Sequence, residues 1–236
     1  DAKIIGDSIK KDLEQNHEFL NIYGYILFRL EKNEDAIELY KKIIKIKPDY
    51  AFSFNNLGNI YSKLNKFEDA IKYFNQALKL KSDYFEASYG LSDVYYKIQN
   101  YDNALSYLNK SIQLKPGYLP PVKSKLHLLK VMKKKNDILK FLNDTIIQFP
   151  DDAYFYNEKA LVLSDLGKET EAINSYKSAY LIDPEYPFVL GQIVLDKLLN
   201  GEWDKIENDC EEILSKTENE KAVADPLIIS YIFDSP

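Results

Sequence analysis

Four asparagines and three tyrosines, Asn21, Tyr25, Asn55, Asn56, Asn59, Tyr89 and Tyr96, together with Asp93, are the residues whose types and spacing point to chemistry. A carboxamide offers a donor and an acceptor at once, so a row of them can pair with a peptide backbone while reading little of its side chains. That chemistry is recognition, not turnover. His17 and His127 stand far apart in the chain without triad-like company, the acidic residues are spread as helix caps and solvated faces, and there is no glycine-rich phosphate loop. No catalytic residue is expected. Cys210 is the only cysteine, which rules out a disulfide framework and zinc-ligand spacing, so neither a metal nor a cofactor is expected and the thiol is read as core packing.

The elements that must position these residues are set by a stretch of thirty-four, from Ala51 to Tyr84, whose pattern recurs along the chain. Stepping by that length links Ala36, Ala70, Ala104, Ile138, Ala172 and Ile206; a second series runs Gly24, Gly58, Ser92, Leu126, Ala160 and Val194. Bulky apolar residues follow at Tyr40, Phe74, Leu108, Leu142, Tyr176 and Cys210, and Pro48, Ser82, Pro116, Pro150 and Pro184 close the units. Within the reference stretch, Phe54, Leu57, Ile60, Tyr61 and Leu64 fall at helical spacing, and Phe67, Ala70, Ile71, Phe74, Ala77 and Leu78 mark a second helix after a turn at Asn65. Glycine and alanine recur where two helices must approach closely, so Ala70→Leu is expected to cost roughly 1–3 kcal/mol by overpacking. A proline cannot donate to the helix and disfavours a helical residue before it, so the second helix stops there.

A glycine, an aromatic, an alanine and a terminal proline at this period resemble the tetratricopeptide repeat. The resemblance implies an all-α fold, a right-handed α-solenoid of helix hairpins. Five repeats are expected over 17–186 (17–50, 51–84, 85–118, 119–152 and 153–186). A degenerate sixth covers 187–220, and a tail over 221–236 is expected to lead into further domains. Residues 1–16 place Ile5, Ile9 and Leu13 at four-residue spacing but do not fit the repeat phase; they are either an end cap or the second helix of a preceding unit. The linker from Pro116 to Pro121 is the strongest internal breaker. Single hairpins cannot bury their apolar faces alone, so they stack, and the first helices line a concave face that binds extended partners. On units one to three that face selects the asparagines, tyrosines and Asp93 above, with Phe28 and Ser62.

Composition narrows the partner. The net charge is −6 and Arg29 is the sole arginine, which argues against nucleic acid. Lys133, Lys134 and Lys135 form the one dense basic run and read as a solvated turn. There is no apolar run near the ~18 residues a membrane span needs and no signal-peptide pattern, so a cytoplasmic protein with no membrane partner is expected. A protein or peptide in the concave groove is the expected ligand. Self-association through the array ends, or through the apolar run from Leu227 to Phe233, is a further reading.

The last part of the chain carries a second resemblance. Gly191, Trp203, Asp204, Pro226, Asp234, Ser235 and Pro236 stand in the order seen where the repeats of bacterial O-linked N-acetylglucosamine transferases of the SPINDLY type run into the catalytic lobes. Gly201 and Leu227 depart from that pattern, where the family commonly has a cysteine and an aromatic. The resemblance implies a substrate-docking segment without its catalytic lobes, inactive on its own; the alternative is a free-standing adaptor for complex assembly. It also implies an asparagine ladder, but only Asn56 occupies the ladder position, the equivalents being Ile22, Gly90, Ser124, Glu158 and Gln192. The carboxylate clamp of cochaperone repeats would need cations at Asn21, Glu86 and Gly90, and none is basic.

Overall fold

The computed structural model describes residues 16–200 together with 208, 210–213 and 215. The expected N-terminal helix, Trp203 and the tail with its Leu227 to Phe233 run lie outside the described residues. The described residues form eleven complete helices and no strand, in two compact units divided between Leu128 and Leu129. The fold is an all-α array of repeated hairpins. No described helix is long and apolar enough to cross a membrane.

The first unit holds α1 (His17–Arg29), α2 (Asn33–Ile46), α3 (Ala51–Lys63), α4 (Phe67–Leu80), α5 (Phe85–Lys97), α6 (Tyr101–Leu114) and the start of α7 (Leu119–Val131). Hairpins form between α1 and α2, α3 and α4, and α5 and α6. Each second helix then packs on the next first helix, α2 on α3 and α4 on α5, while α1 touches α3 and α3 touches α5. First helices are therefore side by side, which puts their outward residues in one row.

Close packing explains the small residues. Ala36, Ala70 and Ala104 are fully buried, as are the rings of Tyr40 and Phe74. A Cβ on Gly24 would meet the Tyr40 ring at 2.8 Å, and one on Gly58 would meet Phe74 at 2.7 Å. The hairpin turns share one device: Glu31, Asn65 and Gln99 adopt positive φ of 62°, 57° and 60°. Beyond each, the chain folds back so that Lys32, Lys66 and Asn100 donate their backbone N–H to the carbonyls of Leu27, Tyr61 and Tyr95, satisfying acceptors that the helix end leaves open. Helix starts are capped where the sequence offers an acceptor, Asn16 Oδ1 receiving the N–H of Glu18 and Phe19.

Two expectations about helix ends are refined. Helix α4 stops at Leu80, two residues before Ser82, just as α2 stops two before Pro48, so proline is not required for the stop. The breaker after α6 is shorter than its sequence suggests: α7 begins at Leu119 and takes Pro120 and Pro121 into its first turn, where a missing N–H leaves no intrahelical bond unmade.

The second unit holds the end of α7, α8 (Lys135–Gln148), α9 (Ala153–Ser164), α10 (Glu169–Ile182) and α11 (Val189–Leu199), with successive helices from α8 onward in contact. Its core joins Ala153, Ala160, Tyr176, Ala179, Val189 and Ile193, and a smaller cluster of Leu190, Val194 and Ile213 has Cys210 packed against it. Lys133 lies in the turn before α8 at φ 54°, and Lys135 starts that helix.

Candidate functional site

The outward row of first helices in the first unit is tied together by side chains that reach from one repeat to the next. Asn56 Nδ2 donates to Asn21 Oδ1 at 3.0 Å. The Tyr40 hydroxyl donates to the Asn21 carbonyl at 3.3 Å; burial drives the Tyr40 phenol well above its ordinary pKa, an effect that a hydrogen bond with Asn56 partly offsets. Farther along, Lys97 pairs with Asp93 at 2.8 Å and donates to Ser62 Oγ at 3.2 Å, while Ser62 donates to Asp93 at 3.4 Å. Two more links cross from α5 to α7: Tyr89 Oη to Ser124 Oγ at 3.0 Å and Tyr96 Oη to His127 Nε2 at 2.9 Å.

These last links frame a cavity of about 300 Å³ between α5 and α7. Tyr89, Tyr96 and His127 give it aromatic walls, Asp93, Lys123 and Ser124 bring polar groups, and Ser92, Leu108 and Leu128 complete it. Such a space is the size of one large side chain with part of its backbone, at the lower end of the ~300–1,000 Å³ usual for ligand sites.

Of the residues expected on this face, Tyr89, Asp93 and Tyr96 line the cavity. Asn21 and Asn56 are half-buried and engaged with each other, and Asn59 is exposed. Tyr25 is exposed and accepts a hydrogen bond from Arg29 at 3.1 Å. Asn55 departs from the expectation of an open amide: it is 6% exposed and its Oδ1 has no partner among the described residues. The reason is its place on α3, flanked by α1 on one side and α5 on the other. His127 was not among the expected residues, although the thirty-four-residue step from Tyr25 through Asn59 and Asp93 leads to it. The same step carries Asn55 and Tyr89 to Lys123, and Asn56 and Gly90 to Ser124.

Family models of the tetratricopeptide repeat match residues 51–84, and 85–118 together with 153–186; a TPR repeat model matches residues 24–65. Together they cover more than half of the chain. This chain belongs to the tetratricopeptide repeat family. No curated protein sequence matches it.

Solved structures show the same fold at low identity. YrrB, a TPR protein with an unusual peptide-binding site, aligns at TM-score 0.57 and 19% identity, covering 75% of this chain and 93% of its own. MamA aligns at TM-score 0.60 and 21% identity over 72% of this chain and 92% of its own. PilF of Pseudomonas aeruginosa aligns at 0.62 and 14% identity over 92% and 96%. As a tetratricopeptide repeat protein, the chain falls in a class of protein–protein interaction scaffolds.

Proposed function

We propose that this tetratricopeptide repeat protein is a peptide-docking scaffold that works in the cytoplasm and holds an extended protein segment in a concave groove along α1, α3, α5 and α7. The observation that carries the reading is the cavity between α5 and α7. It sits in the row of outward first-helix residues, and its Tyr89, Tyr96 and His127 walls fit one anchoring side chain of a ligand. On the α1 and α3 side of that anchor, Asn21, Asn56 and Asn59 offer amide groups to the ligand backbone, and Tyr25 offers an aromatic surface near the first repeat. Asn21 and Asn56 spend one donor and one acceptor on each other, which leaves the Asn21 amide hydrogens and the Asn56 oxygen to face a peptide.

The test begins with selection of peptides from a random library on the full chain, followed by calorimetric affinities for the best binder. Tyr96→Ala and His127→Ala should each weaken binding by about tenfold or more, the loss typical of an anchor contact. Asn56→Ala with Asn59→Ala should weaken it less, and Lys72→Ala on α4 should not change it. Unchanged affinity in Tyr96→Ala and His127→Ala would move the site off this face.

A finer reading rests on the order Gly191, Trp203, Asp204, Pro226, Asp234, Ser235 and Pro236. In it, the scaffold is the substrate-docking part of an O-linked N-acetylglucosamine transferase, and the peptide is a segment of the protein to be modified. A catalytic region encoded in frame after Pro236 would support it; a stop codon there would leave the adaptor reading.

A further inference from the structure

The cavity between α5 and α7 lies where the preceding repeat keeps a ring. Phe74 of α4 is fully buried against Gly58 of α3 and Gly90 of α5, so closely that a Cβ on the first would sit 2.7 Å from the ring and one on the second 2.4 Å. Thirty-four residues on, the same three positions are Ser92, Leu108 and Ser124, and all three line the cavity. A leucine lacks the outer carbons of a phenyl ring. Room that the ring takes up one repeat earlier is here left to two small serines and to the cavity, and the exposed Asp93 and His127 stand at its rim.

The polar groups of the lining are already engaged. Ser92 donates to the Tyr89 carbonyl at 2.6 Å, the Tyr89 and Ser124 hydroxyls share a hydrogen bond at 3.0 Å, and Tyr96 Oη bonds with His127 Nε2 at 2.9 Å. Asp93 Oδ2 takes both Lys97 and Ser62. None of these atoms needs a ligand to complete its bonding.

Charge gives no preference either. Asp93 and Lys123 place opposite signs on the lining, so an ionised side chain gains one attraction and one repulsion while giving up water for a cavity whose deepest residues are Leu108 and Leu128, 3% and 1% exposed. What the lining offers is apolar contact and ring surface. Tyr89 lies edge-on to Tyr118 at 6.5 Å, and Tyr96 packs with Tyr101 at 6.0 Å and with His127 at 5.7 Å, so the aromatic walls are held in place without a ligand.

We propose that the cavity takes a neutral aromatic side chain, which supplies in trans the ring that Leu108 lacks. The inference rests on the peptide-docking reading for the source of that ring, and it names the class of residue at the ligand's anchor.

The N-acetylated amides of tryptophan, phenylalanine, lysine and glutamate, added to the full chain at the millimolar concentrations suited to ligands of this size, test it by proton NMR of the imidazoles. His17 and His127 are the only histidines, so His127 reports on the cavity and His17, on α1, is the control. The two aromatic amides should shift the His127 resonances to saturation and leave His17 in place, and the charged amides should move neither. Equal shifts from a charged amide, or no saturable shift from the aromatic ones, would overturn the proposal. Ser92→Gly, Leu108→Phe and Ser124→Gly together reproduce the setting of Phe74 and should weaken binding of the aromatic amides by about tenfold or more. Unchanged affinity in a variant with native circular dichroism would also overturn it, and the native chain decides alone if the variant does not fold. A library-selected peptide that loses affinity in Tyr96→Ala but carries a charged residue at its most sensitive position would keep the docking reading and sink this inference. Aromatic shifts at His127 with no peptide dependent on Tyr96 would support the aromatic site and remove the docking reading.

Discussion

Gly90→Ala separates packing from propensity with opposite signs. Gly90 lies in α5, where alanine is preferred to glycine by about 1 kcal/mol on helix propensity alone. The structure opposes that gain, because the new Cβ would be 2.4 Å from Phe74 Cζ, against the 3.4–4 Å of ordinary contact. Phe74 has little room to retreat: it is fully buried, and a Cβ on Gly58 would also sit 2.7 Å from the ring. Overpacking of this kind costs roughly 1–3 kcal/mol, so the net change should be about 1 kcal/mol destabilising. Phe74→Leu removes the ring tip and itself costs about 1–2 kcal/mol in lost packing. In that background Gly90→Ala should become stabilising by about 1 kcal/mol, a reversal of sign and a coupling of about 2 kcal/mol. Urea unfolding followed by far-ultraviolet circular dichroism measures all four proteins. Stabilisation by the same amount in both backgrounds would refute the claim that α4 and α5 meet through this ring.

Three further outcomes are expected. Gln99→Gly, at φ 60° in the turn after α5, should raise stability by about 0.5–1 kcal/mol in thermal melts, because glycine adopts this backbone without the steric cost that glutamine carries. In the second unit Glu158 is buried and pairs with Lys130, so Lys130→Met should cost about 2 kcal/mol by stranding the carboxylate, and Glu158→Gln added to it should recover most of the loss in the same melts. Burial, with acidic neighbours adding to it, pushes the phenols of Tyr154, Tyr176 and Tyr186 from 10.0 to about 12. The folded chain then keeps protons that the unfolded chain releases, so stability should be complete below pH 10 and fall as pH rises toward 12; denaturant midpoints taken across that range, with absorbance near 295 nm following ionisation, would show it.

The hairpins were legible because their determinants are local in kind and periodic in place. Gly24 against Tyr40, Gly58 against Phe74 and the buried alanines at 36, 70 and 104 each exclude a larger residue, and such exclusions repeat wherever the contact repeats. The turns were less legible. Glu31, Gln99 and Lys133 take a left-handed conformation that the sequence would announce only with glycine or asparagine, as it does at Asn65 and Gly167. Of the residues expected on the binding face, Tyr89, Asp93 and Tyr96 line the cavity, whereas His127 stands in the sequence without catalytic company. Its partner is a tyrosine thirty-one residues earlier on the neighbouring first helix, a contact that depends on side-chain reach between repeats and leaves no mark in the order of residues. Asn55, expected on the open face, is buried on α3, a helix that touches both α1 and α5.

The contact between successive repeats also explains why this chain has no ladder of asparagines. Counting along each first helix, the position of Asn56 is the one that the preceding repeat's bulky residue reaches: Gly90 lies against the Phe74 ring tip, and Asn56 stands close enough to the Tyr40 phenol to offset part of the rise that burial causes in its pKa. Whatever stands there must first suit that ring. A tyrosine leaves a polar tip that an amide can satisfy, while a phenylalanine leaves only apolar ring and no room for a side chain. The positions one before and three after it hold Asn21, Asn55, Tyr89 and Lys123, and Tyr25, Asn59, Asp93 and His127; of these Asn55 is buried and the others are half-buried or exposed. Packing thus constrains this one position of each first helix, while the half-buried and exposed positions beside it differ from repeat to repeat. That freedom lets an array built on one stride present the cavity between α5 and α7 instead of an identical surface at every repeat.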